Sequence, residues 1–228
     1  MKIHDVEQGS PEWLTLRLGI PTASMFDKVV TPKGKLSESS RDYAHRLIAE
    51  RVLGRSLDSL DHLEWVVRGK ELEPAAARMY AFEQGVETRE VGFVTSDDGR
   101  MGASPDRLLV GQAGILEIKC PAPNTHVGYM LEGFGTKYFV QVQGQLLVTA
   151  AEFADRYSYH PDMPPVLNRT HRDEAFIRTL ADALEEFNDG LEEKLERVRA
   201  LGAFDMSRPV SPVDAAYDPI SEQVEYFQ

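Results

Sequence analysis

Asp106, Glu117 and Lys119 fall within one short stretch, SPDRLLVGQAGILEIKCP, residues 104–121. Ile115 to Lys119 has the apolar spacing of a buried strand, yet it sets Glu117 and Lys119 two positions apart and so on one face. Burying either charge without compensation is expensive. A turn at GQAG, centred between Gln112 and Ala113, pairs Asp106 with Lys119 and Leu108 with Glu117. Asp106 and Glu117 then become diagonal neighbours, roughly 7–8 Å apart at Cα. Their carboxylates can converge on one cation. Mg²⁺ suits them, because it takes oxygen ligands at about 2.0–2.1 Å and needs only one or two protein carboxylates besides water and phosphate. Lys119 would orient or help deprotonate an attacking water and balance negative charge. The spacing also describes an ordinary surface pair of Asp and Lys on adjacent strands. Three details favour a site: Pro105 fixes the backbone before Asp106, Leu116 and Ile118 are apolar, and Pro121 ends the strand at once.

The elements that must carry these residues are legible in outline. Ser10 and Pro11 open a short helix ending at Gly19, and TASMFDKVV predicts a second, capped by Thr22. TPKGK lacks the first glycine and the Ser/Thr of a phosphate-binding P-loop. Helical spacing recurs over residues 38–53 and again over 69–85, with Gly54 and Gly85 as stops. From Val86 the pattern turns to β segments, EVGFVT, RMGAS, DRLLV and GILEIK, read as a meander or successive hairpins. KYFVQVQGQLLVTA is helical by its shared face of Phe139, Val142, Leu146 and Leu147, FADRYSYH is a strand, and residues 172–201 form a long amphipathic helix. One domain over residues 1–204, with a mostly antiparallel small sheet and flanking helices, is expected, followed by an acidic, proline-containing tail over 205–228.

The net charge of −12 argues against a protein that coats nucleic acid through charge alone. It is unevenly spread. Residues 171–228 hold 14 acidic and 6 basic side chains, so the acidity could face away from a polyanion and leave a local basic groove elsewhere. The single cysteine, Cys120, excludes internal disulfides and four-cysteine metal sites, and the six histidines show no metal-binding spacing. Cys120 is read as a small buried side chain, since no histidine can be tied to it as a base. With no apolar run of membrane-spanning length and no signal-peptide core, a cytoplasmic protein without membrane contact is expected.

SPD, ten residues, then EIK resembles the PD-(D/E)XK signature of restriction-endonuclease-like nucleases. The wider set, EWLTLRLGIPTAS, GKELEPAA, GASPD, LEIKCP and YFVQVQGQLLVT, is similar in order and approximate spacing to the lambda exonuclease or YqaJ-type viral recombinase nucleases. The likeness covers roughly residues 7–160. It implies an α/β restriction-endonuclease-like core with a small mixed central sheet flanked by helices. It further implies that Asp106 and Glu117 hold metal with the Ile118 carbonyl, that Lys119 is the catalytic lysine, and that Glu73 serves a second ion or its water. Gln141 matches a glutamine near the active site, with Gln143 as a substitute.

Arg17, Ser24 and Ser104 match residues that hold a 5′-terminal phosphate, a role suited to an arginine fork with hydroxyl donors. Lys33 and Lys35 could touch the duplex backbone or simply be solvated, and Val66 is a candidate for the wedge that separates the strands. The implied activity is Mg²⁺-dependent 5′→3′ exodeoxyribonuclease action on duplex DNA ends, with two ions and Mn²⁺ as an alternative. A homotrimeric ring, a single-strand annealing protein as partner and a role in phage-type recombination complete the expectation. The competing readings are a PD-(D/E)XK endonuclease or repair nuclease, and a non-catalytic DNA-end-binding protein.

Overall fold

The computed structural model describes residues 1–57, 64–136 and 138–202. The side chain of Val66 and the tail from residue 205 lie outside what is described. In chain order the elements are β1 (Lys2–His4), α1 (Pro11–Arg17), a 3-10 helix (Ala23–Lys28), α2 (Ser40–Leu53), α3 (Glu64–Gln84), β2 (Thr88–Glu90), β3 (Phe93–Thr95), β4 (Gly102–Ala103), β5 (Arg107–Leu109) and β6 (Gly114–Lys119). Then come α4 (Pro123–Glu132), α5 (Phe139–Thr149), β7 (Phe153–His160), β8 (Met163–His171) and α6 (Glu174–Leu201).

The strands form two sheets rather than one meander. A small antiparallel sheet runs β1-β3-β4, and a mixed sheet runs β2-β5-β6-β7-β8 with β6 and β7 parallel. The stretch EVGFVT, expected as one strand, is divided between them at Gly92. A side chain there would strike the carbonyl oxygen of Val6, so the close approach of the N-terminal segment breaks the strand. The parallel β6–β7 pair is joined through α4 and α5, as a crossover between parallel strands requires. α4 and β8 were not foreseen. β8 carries Pro164 and Pro165 and reads poorly as a strand, but it lies at the sheet edge, where a missing N–H donor is tolerated.

The mixed sheet is covered on both faces. On one, Leu109, Leu116, Ile118 and Tyr157 pack against Ala76, Ala77 and Tyr80 of α3. On the other, Ile115 and Ala154 meet Val142 and Leu146 of α5 and Ile177 of α6. The tyrosines also lock α3 in place: Tyr80 Oη donates to Asp155 at 2.6 Å and Tyr157 Oη donates to Glu83 at 2.9 Å. A third cluster joins α2, the 3-10 helix, β3, β4 and α6. The long C-terminal helix appears as expected, capped by Asp173, which accepts from Phe176 N at 2.9 Å. Its stripe from Phe176 to Leu195 is buried, whereas Leu201 is exposed. Its acids do not all face away: Glu192 pairs with Arg51, and Asp189 with Arg100.

Three local expectations need correction. TASMFDKVV is a 3-10 helix in which Thr22 makes no side-chain cap. α3 begins at Glu64, so Pro74 lies inside it. The hairpin pairs Arg107 with Leu116 and Leu108 with Ile115, two residues from the anticipated register, because the turn occupies Val110–Ala113 with Gly111 at φ 75°. A shift of two preserves the faces. It nevertheless brings Asp106 directly opposite Glu117.

Gly144 weakens α5 by propensity, and packing explains it: a Cβ there would lie 2.4 Å from the Phe26 ring. Gly144→Val is expected to destabilise by about 1–3 kcal/mol through overpacking. At about 2–4 °C per kcal/mol for a chain of this size, differential scanning calorimetry should show a melting point several degrees lower.

Candidate active site

Pairing between β5 and β6 stops at Arg107 and Leu116, and the site is built where it stops. Asp106 lies one residue outside β5. Its Oδ2 accepts the Ile118 N–H at 2.5 Å, a backbone donor left over once β5 has ended. In an extended strand the N–H and C=O of one residue leave on the same side. The Ile118 carbonyl is therefore directed toward Asp106 as well. The approach to Asp106 is itself pinned, since Gln8 Nε2 donates to Val91 O at 2.8 Å and to Pro105 O at 3.1 Å.

Glu117 is buried at 3% exposure, and three donors explain how a carboxylate is tolerated there. Lys119 Nζ and Gln141 Nε2 donate to Oε1 at 2.5 and 2.8 Å, and Gln145 Nε2 donates to Oε2 at 2.6 Å. Hydrogen bonds to a charged acceptor are each worth about 1.5–3 kcal/mol. Gln141 and Gln145 reach the same carboxylate because they are one helical turn apart on α5. Gln143 is not part of the site: it donates to His171 O and accepts from Asp173 N, joining α5 to the start of α6. Lys119 also lies over the Tyr138 ring, 5.2 Å from its centroid.

The electrostatics follow from this crowding. Burial, and then the Glu117 charge, push Asp106 well above the usual carboxylate range, against the opposing pull of Lys119. Burial works to depress Lys119, but Glu117 and Asp106 outweigh it and hold the ammonium above its ordinary value. Glu73 is raised by burial, with Arg107 opposing. Burial raises Cys120 to about 11, with Glu73 and Asp106 adding to the effect, so the thiol is not a nucleophile at neutral pH.

Glu73 is the remaining acid of the expected set. Its Oε1 lies 3.6 Å from Arg107 Nη2, and among the described residues no three His, Cys, Asp or Glu side chains gather as a metal cage. What converges is two carboxylates and a backbone carbonyl. That all-oxygen set, with the half-buried Asp106 held opposite the buried Glu117, fits a hard dication such as Mg²⁺.

Arg17, Ser24 and Ser104 belong to a second constellation beside the first. The Arg17 guanidinium stacks 4.0 Å from the Trp13 ring centroid, and Trp13 Nε1 donates to Ser104 Oγ at 2.9 Å. Ser24 Oγ lies 3.3 Å from Thr22 Oγ1, and a parallel bridge between Thr22 and Gly102 draws the two serine-bearing segments side by side. Arg17 and Thr22 also line a hollow with Tyr43, Arg46 and Glu50. Lys33 and Lys35 lie in an exposed turn closed by Thr31, with no contact to either constellation among the described bonds.

Residues 12–152 match the YqaJ-like viral recombinase domain. The chain belongs to that family. Comparison with curated protein sequences gave no match. Among solved structures, the alkaline exonuclease LHK-Exo of Laribacter hongkongensis is 31% identical with a TM-score of 0.75, and the match spans 84% of this chain and 97% of that one. Its complex with dAMP aligns over the same share of each chain at 32% identity and a TM-score of 0.75. A phage-related exonuclease from Haemophilus somnus 129PT, 12% identical, shares the fold at a TM-score of 0.63 over 78% of this chain and 96% of that one. The YqaJ match and the exonuclease neighbours support a nuclease of the lambda exonuclease family with a PD-(D/E)XK-type α/β core.

Sequence reasoning missed Gln145, Tyr138, Trp13 and Arg107. The four-residue step from Gln141 on one helix face was the signal for Gln145, and adjacency to Asp106 was the signal for Arg107. Tyr138 and Trp13 act through tertiary contacts that no spacing reveals.

Two outcomes test the geometry. Gln145→Ala should lower nuclease turnover about 10–100-fold, as loss of a ligand's supporting bond does, without unfolding the chain. For Asp106 the raised folded pKa means that its ionisation opposes folding: this stability is present below the unfolded pKa and lost as pH rises through the folded one. Asp106→Asn in chelator-treated protein at pH 8 should therefore melt at a higher temperature than the parent, as a thermal-shift measurement would read.

Proposed function

We propose that the chain is a Mg²⁺-dependent 5′→3′ exodeoxyribonuclease that degrades one strand of duplex DNA from a 5′-phosphorylated end and leaves a 3′ single strand. The observation that carries this reading is the triply bonded Glu117 directly opposite Asp106. Asp106, Glu117 and the Ile118 carbonyl are the residues that would hold Mg²⁺, or Mn²⁺ in its place, with Glu73 at the margin for a second ion. A bound ion would supply Lewis-acid polarisation of the scissile phosphate and a lowered water pKa.

The remaining chemistry is the protein's own. Gln141, Gln145 and Lys119 fix the Glu117 carboxylate in one orientation, so no rearrangement is needed as charge develops. The Lys119 ammonium, held beside Glu117 and over Tyr138, orients the attacking water and offsets negative charge accumulating on the phosphate. The Ile118 N–H keeps Asp106 turned toward the same point. Arg17 grips the terminal phosphate through its planar fork, with the Ser24 and Ser104 hydroxyls as added donors. Trp13 holds both Arg17 and Ser104, which joins end recognition to the strand segment that carries Asp106.

This reading extends to a single nuclease domain over residues 1–204, a homotrimeric ring around the duplex, loading of a single-strand annealing protein on the product, and a part in phage-type recombination in the host cytoplasm. Support for these comes from family membership and from acidity concentrated toward the C-terminus. Among the described residues no helix is long and apolar enough to cross a membrane. An endonuclease would also open closed circular DNA, and a pure end-binder would have no use for acids gathered beside phosphate.

The test compares linear duplexes bearing 5′-phosphate or 5′-hydroxyl ends, with and without Mg²⁺, and closed circles as control. Digestion is expected of the phosphorylated linear duplex with Mg²⁺, and Asp106→Ala should reduce it by about 10³-fold or more, comparable to loss of a key electrostatic group. Cleavage of closed circles, or equal digestion by Asp106→Ala, would overturn the reading.

A further inference from the structure

Arg107 follows Asp106 directly, and strand alternation turns it to the opposite face of the sheet, the one that α3 covers. Its side chain there is 9% exposed. Nη1 lies 2.5 Å from Glu90 Oε1, Nη2 lies 3.6 Å from Glu73 Oε1, and Nε is buried with no hydrogen-bond partner. A buried guanidinium with incomplete hydrogen bonding is a costly occupant of a strand position that shares its face with Leu109. Packing alone would favour an apolar residue. Its two acidic partners differ: Glu90 is at the surface, while Glu73 sits close enough to Glu117 and Lys119 to feel their charges. Glu73 thus lies 3.6 Å from Arg107 while also feeling the charges of Glu117 and Lys119, and it does not complete a three-acid cage with the paired acids among the described residues.

We propose that Arg107 is a built-in competitor for Glu73, a fixed monovalent cation that withholds this carboxylate from divalent ions and so sets how tightly a second ion loads beside Asp106 and Glu117. The inference rests on the reading of the acid pair as a divalent-cation site. It makes Arg107 a positioning residue that touches neither substrate nor the first ion. A fixed unit charge beside a shared carboxylate weakens the binding of a dication to it, here by about five- to tenfold. Losing the charge should therefore tighten the weaker ion and leave the stronger one alone. A residue whose role was only to support the fold would not produce that split.

Calorimetric titration of the full chain with MnCl₂ reads this without reference to turnover, with circular dichroism and melting curves to establish that each variant is folded. In Arg107→Met the weaker Mn²⁺ event is expected to tighten about five- to tenfold while the stronger event stays within twofold of the parent. Arg107→Lys, which keeps the charge, should retain the parent isotherm, and Glu73→Gln should abolish the weaker event. If Arg107→Met fails to fold, Arg107→Gln, neutral but able to hydrogen-bond, takes its place with the same expected shift. A folded neutral variant whose weaker event is unchanged or weakened overturns the proposal and leaves the metal reading standing. Absence of any Mn²⁺ binding by the parent chain overturns both.

Discussion

A carboxylate placed inside a protein must be compensated, and Glu117 is placed inside this one. It lies in the middle strand of the mixed sheet at 3% exposure, so every element around it contributes something to its charge. β6 supplies Lys119, and α5 supplies Gln141 and Gln145 from successive turns. The α5 register needed for this is set by packing: Val142 and Leu146 face the sheet, and Gly144 lets the 3-10 helix close against the other side. The polar site and the apolar core are thus fixed by one helix position.

The second acid is placed by ending a strand early. Had β5 continued through residue 106, the Ile118 N–H would have met a backbone carbonyl; instead it meets the Asp106 carboxylate. Gln8 and Trp13, both near the N-terminus, hold the two residues before Asp106 through Pro105 O and Ser104 Oγ. The Arg17–Trp13–Ser104 contacts and the acid pair are consequently coupled mechanically. Displacing α1 would disturb both at once.

Much of this was legible in the sequence, and the exceptions have physical causes. Asp106, Glu117 and Lys119 announce themselves because charges interrupt an apolar strand between two prolines. The long helix is plain because its stripe repeats over many turns. The hairpin register was misjudged by two residues, since GQAG offers two glycines and only tertiary context selects Gly111 as the one with positive φ. Division of EVGFVT between two sheets depends on Val6, which is remote in sequence. β8 was hidden by its prolines, and Arg107 by lying next to a more conspicuous residue. Local periodicity reports which face is apolar. It does not report which distant segment will cover that face.

The central claim is that Asp106 and Glu117 are gathered to hold a hard dication. Crystals of the protein soaked in manganese and measured at the manganese absorption edge test it most directly. The account requires an anomalous peak between the two carboxylates, within coordinating distance of both and of the Ile118 carbonyl oxygen. A clean map at that point from well-ordered, fully soaked crystals would contradict it.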